Sequence, residues 1–146
     1  MLIETLKSLF NRDLNKLKIE IESYQSENQL WAIDKNISNS AGNLCLHLIG
    51  NINTYIGAEL GKTGYIRDRP LEFSLKDIPK SELISKIDAT ILVVNNALDS
   101  LTEADLEAVY PQIVFEKEMT TGYFLVHLST HLAYHLGQIN YHRRLI

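Results

Sequence analysis

Histidine is the residue type in this chain whose spacing invites chemistry. His127, His131 and His135 recur every fourth residue within TGYFLVHLSTHLAYHLGQINYHR, Thr121 to Arg143, and His142 follows seven positions after the last of them. The fifth histidine, His47, lies far upstream in an apolar segment. On a helix, residues four apart share one face at successive turns, so the three imidazoles form a single ridge. Two neighbours on that ridge can converge on one ion, and a third imidazole from a facing helix would complete a three-His set. Such a set keeps a coordination position open for water or substrate, which is the pattern of a reactive site. Neutral imidazole suits zinc, nickel, iron or copper better than magnesium or calcium. A divalent transition metal is therefore expected, with zinc and nickel ahead of iron.

Not every histidine can take part. His127 and His135 would lie about 12 Å apart along a helix axis, and His142 about 10 Å beyond His135, so one ion takes an adjacent pair. That pair is His127 with His131 or His131 with His135, and spacing alone does not choose. His47 is the histidine left to face it. Cys45, two residues from His47, is turned about 200° away on a helix at about 100° per residue and reads as a small buried residue. The competing reading of all these imidazoles is structural: buried histidines hydrogen-bonded within a core.

The elements that must carry the histidines are helical. Phe124, Leu125, Leu128, Leu132, Leu136 and Ile139 repeat at three and four behind an N-cap at Thr120 or Thr121. No charge falls between Glu118 and Arg143, which predicts a helix buried on most sides. A second central helix is expected over Ala41 to Leu60, capped by Ser38 or Ser40, apolar on two sides and ended by Gly61. Ile3, Leu6, Phe10, Leu14, Leu17, Ile21 and Tyr24 mark an amphipathic first helix, and Leu83, Ile87, Ile91, Val94, Leu98 and Leu101 mark another. Leu30, Trp31 and Ile33 read as an apolar anchor for the irregular segment between the first two. Thr102 with Asp105 resembles a capping box, and 111–119 reads as extended without a partner. The architecture expected is all-α, a helical bundle in one domain over 1–146.

Between the second and third long helices, Gly61 to Pro79 has no period and carries Arg67, Asp68 and Arg69. A loop this long is either functional or a crossover between distant helix ends, and it can reach about 60 Å. Arg67 and Arg69 are candidates for binding an anionic substrate, set against the plainer reading of solvated or paired loop charges.

Composition is that of an ordinary globular chain: 45% hydrophobic, 22% charged and a net charge of −4 in 146 residues. The acidic balance and the lack of a basic stripe argue against nucleic acid. One cysteine rules out an internal disulfide framework, the charged first residues rule out a signal-peptide core, and the polar residues around His131 argue against a membrane span. A cytoplasmic protein is expected.

Three stretches carry a family resemblance: NSAGNLCLHLIGN at 39–51, GYIRDRPLEFS at 64–74 and THLAYHLGQI at 130–139. They resemble the DinB-like superfamily of metal-binding four-helix proteins, whose pattern is a His and a following Gly on the second helix, then His-x-x-x-His-x-Gly-Gln on the last. His47 with Gly50, and His131, His135, Gly137 and Gln138, match that pattern. The resemblance implies His47, His131 and His135 as ligands, with His127 outside them. It also implies an up-down-down-up bundle with its long crossover at Gly61 to Pro79, and a homodimer. Members with assigned activity include thiol-dependent transferases and isomerases, in which a divalent metal activates a low-molecular-weight thiol. This chain has Leu132 where many relatives carry an acid after the first His of the pair, and it has no His-Glu-x-x-His element. Asn51, His127, Tyr134 and Gln138 are the expected neighbours of the ion or its pocket, with Tyr141 a further polar candidate.

Three functions follow: a metal-dependent transferase acting on a small-molecule substrate through a small thiol, a metal-dependent hydrolase, and a non-catalytic metal-binding dimer of the stress-response kind. The scarcity of a positioned general base ranks the first above the second.

Overall fold

The computed structural model describes residues 1–146, and it is all-helical with no named strand. Four of its helices are long: α1 (Leu2–Glu22), α3 (Ala41–Ile52, prolonged by a π-helix at Asn53–Ala58), α5 (Lys80–Asp99) and α7 (Thr121–Leu145). Three short ones, α2 (Glu27–Leu30), α4 (Arg69–Ser74) and α6 (Glu103–Glu107), lie in the connections.

Each long helix buries the stripe its sequence period supplies. In α1 this is Ile3, Leu6, Phe10, Leu14, Leu17 and Ile21, and in α5 it is Leu83, Ile87, Val94, Ala97 and Leu98. Helix α3 is central, and all its residues from Ala41 to Ile52 are buried. Ser40 caps it, accepting from the Asn43 backbone N–H, and Thr120 caps α7 by accepting from that of Tyr123. The expected capping box at Thr102 and Asp105 is present and opens α6.

Charged pairs at both ends orient α1 against α5. Lys7 meets Asp99 at 2.5 Å and Lys18 meets Asp88 at 3.0 Å, so the two helices run in opposite directions. Glu20, near the end of α1, pairs at 2.8 Å with Arg143, near the end of α7, so those two run together. Across α3 and α7 the order reverses: His47 lies by His131 while Tyr55, further along, meets Phe124 with ring centroids 5.2 Å apart.

Several expectations change. The second helix does not stay α-helical to Leu60. Its last turns widen into π geometry, with Glu59 N–H bonded to Thr54 O and Gly61 N–H to Ile56 O. Gly57 there sits so close to α5 that a Cβ would come within 2.9 Å of Val93 Cγ1. The crossover is not structureless, because Asp68 caps a helical turn, α4, that Pro70 helps to start. Residues 111–119 form no strand pairing, and the loop they make is closed at its base by an antiparallel bridge between Val109 and Thr120. Of the anchor before α3, Leu30 and Trp31 are buried but Ile33 is exposed. The Trp31 ring lies on Gly42, where any Cβ would approach it to 2.5 Å. Nor is α7 buried on most sides, for Tyr123, Val126, Tyr134 and Tyr141 make an outer face that is uncharged yet exposed. Uncharged and buried are separate properties, and tyrosine belongs to the surface as readily as to the core.

Candidate metal centre

His47 projects from the middle of α3 toward α7, where His131 and His135 are one turn apart. Ligating atoms of these three residues lie within 4.8 Å of one another. The rings stand nearly perpendicular in pairs: His131 to His135 at 87°, His47 to His135 at 90°, His47 to His131 at 75°. His47 Nε2 and His131 Nε2 are 3.3 Å apart. With metal–nitrogen bonds of about 2.0–2.1 Å, the edge of a tetrahedral site is about 3.3–3.4 Å, so this pair already has the spacing of two ligands.

What the other ring nitrogens do decides which nitrogen is free. His47 Nδ1 lies 3.0 Å from Glu72 Oε1, and a carboxylate oxygen can only accept, so the proton sits on Nδ1 and the lone pair on Nε2. Arg67 Nη2 also approaches His47 Nδ1, at 3.3 Å, but that contact is longer and would need the opposite tautomer. His135 Nδ1 lies 2.7 Å from Gln138 Oε1, again an acceptor, which leaves the Nε2 lone pair of His135 free. Two of the three imidazoles are thus held in the tautomer a metal ion needs, by the kind of partner that orients metal-binding histidines elsewhere. The buried Nδ1 of His131 has no partner.

Burial, reinforced by the neighbouring histidines, pushes His131 down to about 4. His47 is also lowered, chiefly by burial, with Glu72 opposing the shift and His135 and Arg67 adding to it. Both rings therefore keep their lone pairs across the neutral range. The donor set fits a divalent transition ion.

Glu72 is the member of this centre that spacing of histidines did not reveal. It is brought in by α4, and it is buried with Arg67, whose Nε and Nη2 donate to its two oxygens at 2.8 and 2.9 Å. Gly50 makes the approach possible: a Cβ there would stand 1.9 Å from Glu72 Oε2. Asn43, one turn before His47, fixes the end of α4 by donating to the carbonyls of Glu72 and Leu75 at 2.9 and 2.8 Å. A glycine inside a helix, three residues after a histidine, was the available signal that another group comes close there.

The remaining candidates fall in different places. His127 lies one turn from His131, ring centroids 6.3 Å apart, and packs against Phe115 and Phe124 in the wall of an adjoining pocket. Asn51 lines the same pocket with a buried Oδ1 that has no hydrogen-bond partner. Tyr134 is exposed, its ring edge against His135 on the opposite side. Arg67 is held by Glu72, whereas Arg69 lies over the Phe73 ring at 5.4 Å. Cys45 is fully buried and its thiol is pushed up to about 12, so it offers no thiolate.

The model of a family described as "Protein of unknown function (DUF1572)" matches residues 2–146. The chain belongs to this family. No curated protein matches it. No helix of the chain is long and apolar enough to cross a membrane. The matched region includes every element that builds the three-His centre.

Proposed function

We propose that this DUF1572 protein is a DinB-like metalloenzyme in which His47, His131 and His135 hold one divalent transition ion, zinc or nickel ahead of iron, for transfer chemistry on a small thiol. The four long helices are read as an up-down-down-up bundle, consistent with the opposed α1–α5 and α3–α7 pairs and the parallel α1–α7 pair. The chemistry such an ion supplies when bound is stabilisation of a thiolate at neutral pH.

The observation that carries this reading is the pocket beside the three imidazoles. It has a volume of about 220 Å³ and is lined in part by His47 and His131, with no aspartate or glutamate in its wall. Activating water calls for a positioned base, while a thiol needs only a lowered pKa to become the nucleophile. Glu72 is not available as that base, since both its oxygens are engaged by Arg67 and one also by His47. Its part is to hold the His47 ring and its tautomer, as Gln138 does for His135. Phe73 packs on the His47 ring, with centroids 5.1 Å apart.

Hydrolysis is the second reading, and His127 favours it, because its imidazole shares the pocket wall and is free of the cluster. Zinc- or nickel-loaded protein incubated with a panel of small thiols and an alkylating electrophile should give metal-dependent conjugation. Conjugation absent across the panel, with ester or amide cleavage that His127→Ala abolishes, would replace the first reading with the second.

A reducing cytoplasm, where small thiols stay reduced, is the proposed setting. A homodimer is also proposed, through the groove between α1 and α7 that exposes Ile19, Tyr134 and Tyr141. Sedimentation as a monomer at micromolar concentration and above would remove the dimer from the account.

A further inference from the structure

The pocket beside the three histidines has a charge pattern that metal binding does not use. Arg67 and Arg69 both line it, and no carboxylate does. Arg67 donates from Nε and Nη2 to Glu72, which leaves Nη1 with its two N–H groups and no partner. Arg69 is exposed and makes no ion pair; its guanidinium rests on Phe73. Glu72 is compensated by Arg67, and Arg69 makes no ion pair, so the pocket wall carries positive charge, to which a divalent ion at the histidines would add.

A second, independent feature faces the same space. Asn51 is buried, with 8% of its surface exposed, and its Oδ1 has no partner within the protein. A buried amide oxygen without a partner costs free energy that a ligand N–H or O–H would recover. The rest of the wall is largely aromatic, with Tyr55, Phe115 and Phe124. Its volume of about 220 Å³ is below the roughly 300–1,000 Å³ of drug-sized ligand sites, which suits a small organic acid.

We propose that this pocket binds a small organic monocarboxylate, its carboxylate on Arg67 Nη1 and Arg69 and an adjacent N–H or O–H donor on Asn51 Oδ1. Resting on the thiol-transfer reading, the small thiol is then a thiol acid, anchored by its carboxylate so that its sulfur reaches the three-His centre. A planar fork of N–H donors matches a carboxylate, and the compact aromatic wall limits the acid to a few carbons.

Calorimetric titration of metal-free and zinc-loaded protein tests the pocket apart from the chemistry. The probes are propionate, lactate, 3-mercaptopropionate and 3-mercaptopropionamide, the last neutral but nearly the same shape as the thiol acid. Propionate should bind metal-free protein, and Arg69→Gln, a surface change that leaves folding intact, should weaken it about tenfold. Lactate should bind several-fold tighter than propionate, an advantage that Asn51→Ala removes. In zinc-loaded protein 3-mercaptopropionate should bind about tenfold tighter than its amide. If the acid and the amide bind alike, and Arg69→Gln changes neither, the carboxylate pocket is overturned even if both thiols bind the ion. Equal affinities for lactate and propionate would remove Asn51 from the site. If propionate binds as expected but the thiol group adds no affinity in loaded protein, the pocket stands and the thiol reading fails.

Discussion

Helix α7 carries two histidine environments barely two turns apart, and they solve the same problem in opposite ways. At its end, His142 is 4% exposed and both ring nitrogens are answered by the protein: Nε2 donates to Ala32 O at 2.8 Å and Nδ1 accepts from Tyr24 OH at 2.6 Å. Further back, His131 and His135 turn toward His47, and the partners present, Glu72 and Gln138, occupy the Nδ1 side of two rings. The first arrangement completes a core. The second holds lone pairs together, at a cost that an ion would offset. His47 in the second arrangement, 7% exposed, is nearly as buried as His142, so burial does not separate that pair; the direction of the second nitrogen does.

The largest effect that could sharpen this contrast is on stability. His142→Ala leaves Tyr24 OH with only the 3.3 Å bond to Ile139 O and strips Ala32 O of its donor, in a buried position. It should cost about 3 kcal/mol in denaturant unfolding while zinc affinity stays unchanged. A large loss of zinc binding in a folded His142→Ala protein would break the distinction.

Next in size is the support beneath His47. Glu72→Gln keeps the shape of the side chain but loses the charge that fixes the Nδ1 proton, and zinc affinity should fall about 10- to 100-fold. Gly50→Ala should act in the same direction through sterics, with about 1–3 kcal/mol of lost stability, because its Cβ would displace the buried carboxylate. Wild-type affinity in Glu72→Gln, measured by competition with a zinc indicator, would reduce Glu72 to a packing residue.

A further effect appears on acidification of metal-free protein. His131 is held down to about 4 in the folded chain, against 6.5 when unfolded, so the unfolded state takes up the proton first. Its contribution is fully present above pH 6.5 and is lost as pH falls from 6.5 to about 4. Urea midpoints should decline through that window, and His131→Asn should flatten the decline. An unchanged slope in the variant would mean His131 is not the group responsible.

The smallest effect is expected at His127. His127→Ala should change zinc affinity by less than about twofold, since the ring stands outside the cluster and packs on Phe115 and Phe124. Loss of metal there, with full retention in His135→Ala, would shift the site one turn toward the start of α7.

These tests also show which parts of the molecule were legible in its sequence. The long helices were, because apolar residues at three and four report which face meets a core, and the spacing of His127, His131 and His135 restricted an ion to two pairs. Spacing could not choose between those pairs, since that depends on where His47 stands along α3 relative to α7. Glu72 was harder still: it enters from an aperiodic crossover 25 residues beyond His47, and local pattern says nothing about a contact so remote. Arg67 read as a solvated or paired loop charge ahead of an anion site, but its partner Glu72 could not be named, since the pairing follows from α4, a turn too short to leave a period. The absence of charge in α7 suggested burial, yet tyrosines supply that helix with an outer face.

The central claim is that three particular imidazoles hold one ion. Untagged protein, exchanged into zinc and dialysed, can be assayed for bound metal by elemental analysis beside His47→Ala, His131→Ala, His135→Ala and His127→Ala, with circular dichroism checking that each is folded. The account predicts about one zinc per chain in the wild type and in His127→Ala, and a loss of most of it in each of the other three, because two ligands hold an ion far less firmly than three. Equal metal in all five proteins, or none in a folded wild type, would contradict it and return these histidines to the role His142 already plays.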